Sequence, residues 1–507
     1  MQHSQTYDVV VIGSGLGGLM CAVILAKEGM KVCVLEQDKQ IGGCLQTFSL
    51  KKTVFDSCVH YIGGLGQGHT LQKIFSYAGI YEKLKLKAYD PNGFDRIAFG
   101  EEETMYPHAI GFDNFADQLA SFFPEERDSL KEYIRQVRNV GDHFPLYRLR
   151  SGSNDEKAAV SGWGVTEVLE RITKNNRLRS VLAGNNLLYA GQESKTPFYL
   201  HALVSESYLH SAHKAVPGSS EIAKQLATEL RLHGGNIYRS TKVTRLFEQD
   251  GKIVYAETED GQRYHGKQFI SGVHPQVLLG MLHTSVIRPA YRNRVAGLEQ
   301  TTSAFMVNLV LKPMTITHRP FNLYWNADED SVWKAVKYEP GRWPLNYALY
   351  FTESRKDVGY AESLSILTYM HYDEVRKWEQ TVNRSGEECE RGGDYDAFKE
   401  QKAELLLKQV YKRVPELRGN IIAHSVATPL TYRDYTGTPQ GALYGILKDV
   451  SKPNETTIAV RTKIPNLLLT GQNINLHGVL GVSITAIATC AELIGMEHLL
   501  AKINKKG

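Results

Sequence analysis

The sequence predicts an α/β protein, a parallel sheet flanked by helices and interleaved with an α+β domain. Three observations carry that prediction. Val9, Val10, Val11 and Ile12 form a β-branched, uncharged run that reads as a buried parallel strand. It breaks into Gly13-Ser14-Gly15-Leu16-Gly17-Gly18, resumes as a helical pattern through Leu19, Ala22, Val23 and Ala26 to Gly29, and ends in a second strand, Lys31 to Leu35, that delivers Glu36. Near the other end, Ile464-Pro465-Asn466-Leu467-Leu468-Leu469-Thr470-Gly471-Gln472 reads as a buried strand closing in glycine, and Gly478 and Gly481 open a helix from Val482 to Ile494. Between the two, an aromatic-rich helical stretch gives way to strands of mixed-sheet character, which calls for a second domain.

Strand, glycine turn, helix, strand and acid together make the context that the dinucleotide fingerprint G-x-G-x-x-G requires, here Gly13, Gly15 and Gly18. Gly13 permits the tight turn, Gly15 lets the backbone approach a pyrophosphate, and Gly18 lets the helix pack on the strand. The free N–H groups at the positive end of that helix face the phosphates, with Ser14, Leu16 and Gly17 completing the loop. Glu36 stands about 20 residues beyond, where a carboxylate accepts hydrogen bonds from an adenosine ribose and disfavours a 2′-phosphate, so NADP is not expected at this site.

At 507 residues the chain is too long for one simple core, and two intertwined domains are expected. Its hydrophobic content of 42% is that of an ordinary folded α/β protein. A net charge of +4 makes no case for nucleic acid, although local basic patches could meet an anionic membrane. The six cysteines (Cys21, Cys33, Cys44, Cys58, Cys389 and Cys490) form no C-x-x-C and no metal spacing with histidine. No metal site is expected, and a reducing, cytoplasmic compartment fits best. Val9 to Ala26 and Ile464 to Ala491 lack Asp, Glu, Lys and Arg, but their glycine and amide residues mark them as buried strand–turn–helix units rather than spans. A soluble or peripherally attached protein is expected.

In chain order, Phe55 to Gly68 reads as a glycine-rich loop. Leu71 to Gly79 reads as a helix, and the chain from there to about Ser211 as mostly helical, with amphipathic Asn114 to Phe123 and Arg127 to Val140 separated by Pro124 at a helix start. Lys131, Arg135, Arg138, Arg148 and Arg150 interleave with Phe144, Leu146, Tyr147 and Leu149, which suits an interfacial region at a membrane and equally a solvated helix face. A helix from Val216 to about Leu232 precedes strands Asn236 to Tyr238 and Lys242 to Phe247, then a hairpin, Ile253 to Thr258 and Gln262 to His265, about Asp260-Gly261. Phe269-Ile270-Ser271-Gly272 closes that segment. Strands Ala304 to Leu311, Tyr347 to Phe351 and Ser363 to Met370 and a helix around Phe398 to Arg413 follow. Trp325, Trp333, Trp343, Tyr347 and Tyr350 suit an apolar tunnel or ordinary core packing. Asn383 to Asp394 is polar and reads as a surface loop.

A glycine pair soon after the acid, Gly42-Gly43 followed by Cys44 and Thr47, resembles the extended fingerprint of the FAD-dependent amine oxidase and phytoene desaturase superfamily. Glu36 to Phe48 is similar to the E-Q-x-x-x-x-G-G-C-x-x-T-F of its retinol saturase branch, as are Phe55-Asp56, His60-Tyr61-Ile62-Gly63, Ala427-Thr428-Pro429-Leu430-Thr431 and Pro439 to Gly445. Many relatives carry an arginine where this chain has Cys44. The branch pattern L-T-G-Q-D becomes Leu469-Thr470-Gly471-Gln472-Asn473, with loss of a charge. The similarity covers both ends and returns in the middle, and it covers Ala88 to Ala215 poorly.

The resemblance implies a Rossmann-like FAD-binding domain assembled from residues 1–75, 213–290 and 424–507, and a substrate domain from 76–212 and 291–423. It implies that Gly13, Ser14, Gly15, Leu16, Gly17, Gly18, Glu36, Gln37, Gly42, Gly43, Cys44, Gly471, Gln472, Asn473, Gly478, Gly481 and Val482 bind FAD. The backbone at Val243 would grip the adenine, and the late helix would aim its N-terminus at the flavin N1–C2=O edge. His60 and Tyr61 would lie near the ring as candidate catalytic residues; a structural histidine and a core tyrosine are the plainer reading. The implied activity is that of a FAD-dependent oxidoreductase acting on C=C bonds of an apolar polyene or isoprenoid-like lipid. The Gly-Gly-Cys match favours a saturase. Carotenoid isomerisation or desaturation, amine oxidation, and non-catalytic binding of a lipid or prenyl group are the alternatives. No second fingerprint exists, so NAD(P)H would bind only transiently as electron donor; a quinone or carrier protein is the other source.

Overall fold

The computed structural model describes residues 6–384 and 387–506. Strand β1 (Thr6–Ile12) runs parallel between β2 (Val32–Leu35) and Arg263–Ser271. Asn236–Tyr238 extends the sheet beyond β2, Leu467–Leu469 pairs with Arg263–Ser271, and both additions are parallel. The hairpin Val243–Gln249 and Lys252–Thr258 completes seven strands, turning at Asp260-Gly261 into Arg263–Ser271 with Gly261 at φ +78°. Helix α1 (Leu16–Lys27) is apolar on every side and buried from Leu16 to Ala26, so it belongs inside the molecule rather than on it.

Helix Ser220–Leu232 and the last part of the chain together bury α1. Helix Gly478–Ile494 lies against it, with the Cys490 thiol donating to Cys21 O at 3.7 Å and the Cys21 thiol to Ala486 O at 3.8 Å. The two glycine loops touch: a methyl group on Gly17 would stand 3.0 Å from Gly471 N. The ends of the chain thus close one unit around a shared core.

The second sheet also has seven strands, in the order Ile421–Ala427, Ser303–Leu311, Ala361–Met370, Asn346–Glu353, Asn322–Asn326, Asp95–Phe99 and Met105–His108. It is antiparallel except where Asn322–Asn326 runs beside Asp95–Phe99. The stretch expected to be mostly helical therefore also supplies three strands, since Lys85–Ala88 pairs with Ala212–Val216 in a third, smaller sheet. These strands are four or five residues long, and two of them begin with a charge while the third contains Pro107, so tertiary pairing rather than local pattern makes them strands. Asn322–Asn326 and Ile421–Ala427 lack Asp, Glu, Lys and Arg and are also strands absent from the sequence reading. The strands expected at Ala304 to Leu311, Tyr347 to Phe351 and Ser363 to Met370 are present within a residue or two.

The basic set between Lys131 and Arg150 is mostly answered by acids. Lys131 pairs with Asp128, Arg135 with Glu132, Arg148 with Glu206 and Asp142, and Arg150 with Glu156, while Arg138 lies over the Phe112 ring. Phe144, Tyr147 and Leu149 turn into the core. Among the described residues no helix is long and apolar enough to cross a membrane. In the segment read as a surface loop, Ser385 and Gly386 lie outside the described residues. Most of its described residues are exposed as expected, but Arg391 forms a buried ion pair with Asp434, and Gly393 and Asp394 already belong to helix Gly393–Arg413.

Candidate active site

One side of the central cavity is backbone. Gly13 turns at φ +92°, and Ser14 donates both its N–H (2.8 Å) and its hydroxyl (2.5 Å) to Glu36 Oε2. Asp38 N–H donates to Oε1 of the same carboxylate at 2.9 Å, and the Gly42 N–H to Ser14 Oγ at 3.1 Å, so loop, acid and second glycine pair form one hydrogen-bonded body. Gly42 and Gly43 both have positive φ, and Gly43 approaches so closely that its added methyl would sit 3.3 Å from Gly15 Cα. Gly15 itself faces open space, with no atom within 4 Å of an added methyl. The first amides of α1 have no side-chain cap, and neither do those of helix Gly478–Ile494. Uncapped amides facing open space are what a pyrophosphate needs, so these residues fit a dinucleotide.

Leu16, Gly42, Cys44, Gln472, Gly478, Gly481 and Val482 line the same cavity as His60 and Tyr61. The other expected residues lie elsewhere. Gly13, Gly17, Gly18 and Gly471 form the packed turn behind it, and Gln37 is half-buried beyond Glu36. Val243 is buried on the far side of the sheet opposite Thr258. Asn473 turns away from the cavity: its Oδ1 accepts the Ile446 N–H at 2.9 Å, and its carbonyl accepts the buried Lys448 ammonium at 3.3 Å. The thiols of Cys44 and Cys58 hydrogen-bond to each other, which lowers the Cys44 thiol and raises that of Cys58.

The opposite side is made of rings. His60 stacks on Tyr350 with centroids 4.3 Å apart, and its Nε2 makes no hydrogen bond within the protein. Burial, aided by Lys214, pushes His60 down to about 3, so the ring is neutral at ordinary pH. Tyr444 packs on His477 at 4.3 Å; burial holds His477 down at about 4, and its Nε2 bonds Leu188 O at 3.0 Å. Tyr208 and Tyr350 complete this wall, and among the described residues no Asp, Glu, Lys or Arg lines the cavity. Of the five aromatics considered for a tunnel only Tyr350 lines it. Trp325 and Tyr347 stack on each other at 4.7 Å, Trp343 bonds Tyr369 O, and Trp333 lies in a separate hollow.

Behind the rings sits a cluster that the sequence reading missed. Asp95 is fully buried and accepts from Tyr61 Oη (2.7 Å), Asn185 Nδ2 (3.2 Å) and Asn322 Nδ2 (3.0 Å). Tyr61 Oη also meets Tyr324 Oη at 2.8 Å, which meets Tyr350 Oη at 3.3 Å. Register explains the grouping. Asp95 lies opposite Asn322, Tyr324 is two residues further along the same face, and Tyr324 lies opposite Ala348, two residues short of Tyr350. The signal in the sequence was Asn322, Tyr324 and Asn326 alternating on one face of an apolar strand. Burial pushes Asp95 up to about 7, against the opposing hydrogen bonds from Asn322, Tyr61 and Asn185.

Comparison with known proteins agrees with this geometry. A model described as an NAD(P)-binding Rossmann-like domain matches residues 11–78. An all-trans-retinol 13,14-reductase of Danio rerio is 26% identical over 96% of this chain and 86% of its own length. Prolycopene isomerase 2 of an Oncidium hybrid cultivar is 22% identical over 88% of this chain and 76% of its own. Among solved structures, the cyclohexylamine oxidase of Brevibacterium oxydans superposes with a TM-score of 0.61 at 15% identity, covering 97% of this chain and all of that one. With its paired glycine loops and its ring-lined cavity, the chain is an oxidoreductase on the Rossmann-like fold of the amine oxidases, related over nearly its whole length to the retinol 13,14-reductases and, at lower identity, to the prolycopene isomerases.

Proposed function

We propose that the chain binds FAD and saturates a C=C bond of an apolar polyene or isoprenoid-like lipid. The observation that carries this is the uncharged lining of the cavity between the cofactor loops and the rings. A buried ammonium substrate would need a carboxylate to answer it, and none faces the cavity, which argues against amine oxidation. Both lining histidines are neutral, so the wall as a whole presents apolar surface and weak hydrogen bonders. Reduction is favoured over isomerisation because the reductase relatives match more of the chain at higher identity.

When bound, FAD supplies the hydride chemistry. The loop Gly13 to Gly18 would hold its pyrophosphate and Glu36 its ribose, while the N-terminus of Gly478–Ile494 lends a positive dipole to the reduced ring. Cys44, Gln472 and Val482 would border the ring, and Tyr350, Tyr208 and Tyr444 would hold the polyene flat while keeping water out. NAD(P)H would act as a transient donor.

The test is anaerobic photoreduction of the purified protein followed by retinol, a carotene and an unsaturated lipid in turn. Flavin reoxidation with a product heavier by two hydrogens is expected for at least one of them. A product of unchanged mass and altered double-bond geometry would replace reduction by isomerisation, and a protein that takes up no FAD would end the proposal.

A further inference from the structure

We propose that Asp95, Tyr61, Tyr324 and Tyr350 form a proton line running from the buried carboxyl to the cavity, with Tyr350 as the group that delivers the proton to carbon. The proposal rests on the reductase reading above. Saturating a double bond consumes one hydride and one proton, and the cavity wall holds no charged acid to supply the second.

The carboxyl is built to hold a proton. Every group bonded to Asp95 is neutral: the Tyr61 phenol and the Asn185 and Asn322 amides. His108, behind Asn185 at 3.5 Å, is itself pushed down to about 4 by burial and carries no charge to offset. Tyr89, Tyr208, Tyr324 and Tyr350 lie within reach of its field, and they too are neutral phenols. A carboxylate kept for structure would be paired with a cation, because an unpaired buried charge is costly. Here the site favours the acid, and burial brings it close to neutrality, where a proton donor works best.

The three phenols join it to the cavity through links of 2.7, 2.8 and 3.3 Å. Burial raises all three, so they hand protons on without storing charge. Once one carbon of the double bond has accepted the hydride that bound FAD would supply, the π pair moves to the neighbouring carbon, which takes the proton of Tyr350. With the carboxyl protonated the 2.7 Å contact reverses and Asp95 donates to Tyr61 Oη, so Tyr350 recovers a proton from Tyr324, Tyr324 from Tyr61, and Tyr61 from Asp95. Each phenol gives one proton and receives one. Asp95 is left as a carboxylate, to be reprotonated from water once product has gone.

In this scheme Tyr350 is catalytic, and Asp95, Tyr61 and Tyr324 act through it. Tyr324→Phe is the sharpest variant, because Tyr324 does not line the cavity and loses one oxygen without changing shape. Reoxidation of the reduced holoenzyme by polyene should slow roughly 100-fold at unchanged flavin content and substrate affinity. Wild-type reoxidation should fall as pH rises through about 7, whereas Asp95→Asn should be slow and flat across that range. Infrared difference spectra give a readout independent of turnover. The carbonyl band of a protonated carboxyl should be present in acid, vanish above neutrality, be missing in Asp95→Asn and survive in Tyr324→Phe. Wild-type rates and pH profile in both variants, or no titrating band in the wild type, would overturn the line alone. A wild type that reduces no polyene would remove the reductase reading and this proposal with it.

Discussion

The wall that faces the dinucleotide and the wall that faces the substrate are made by opposite means. On the first, backbone does the shaping: positive φ at Gly13, Gly42 and Gly43, uncapped amides, and loops that approach to the limit of contact at Gly17 and Gly471. On the second, rings and hydroxyls do it, through His60, Tyr61, Tyr208 and Tyr350 backed by Tyr324 and Asp95. Shape is therefore the vulnerable property on one side and chemistry on the other. A single methyl can ruin the first, while the second can lose an oxygen and keep its form.

The largest expected effect separates two glycines three residues apart. A methyl on Gly18 would meet Gly13 O at 2.1 Å, and both atoms belong to the β1–α1 turn, where nothing can swing aside. Gly18→Val should cost about 3 kcal/mol or more and abolish both flavin content and the native melting transition. Gly15 has an ordinary φ of −60° and open space around it. Gly15→Val should therefore leave the melting temperature of the apoprotein unchanged while flavin absorbance is lost. If Gly15→Val purifies with full flavin, the phosphates do not lie where the uncapped helix points.

The same contrast explains what was legible in the sequence. Strand, turn, helix and acid are written within Val9 to Glu36, so the cofactor side could be read from local pattern and spacing. The C-terminal glycines repeat the message. The ring side is nonlocal. Asn322 reaches Asp95 across 227 positions of sequence, and Tyr61 reaches Tyr324 across 263. Asp95 opens a five-residue strand, where a lone acid looks like the end of a strand rather than the centre of a core. His60 and Tyr61 are visible only through resemblance, and no local pattern shows that the Asn473 amide oxygen accepts from Ile446 N–H.

The next effect concerns stability and tests whether Asp95 holds its proton in the folded state. Burial raises it from 3.8 to about 7, so between those values the folded chain keeps a proton that the unfolded chain has released. Its contribution to stability is complete below the lower value and is lost progressively as pH rises through the upper one. Asp95→Asn removes that dependence, and every other group titrates alike in both proteins. The difference in melting temperature, wild type minus variant, should fall as pH is raised from about 4 to 8. A constant or rising difference would mean that Asp95 is charged at rest.

The smallest effect probes a histidine of the ring wall. His60 stacks on Tyr350, yet its buried Nε2 has no protein partner, an arrangement that costs about 1–3 kcal/mol unless a ligand completes it. His60→Phe keeps the stack and removes the lone nitrogen. The apoprotein should gain about 1 kcal/mol, while the added stability conferred by FAD or by a polyene should shrink by a similar amount. Burial lowers the ring from 6.5 to about 3, so the unfolded chain takes up a proton that the folded one does not. The apoprotein gain should therefore grow as pH falls from about 8 to 5, while the change in ligand-conferred stability should stay the same. Thermal melts with and without each ligand resolve the two signs. Loss of stability in the apoprotein would make His60 a structural member of the ring wall, and a reduced gain with FAD but not with polyene would assign its nitrogen to the cofactor side.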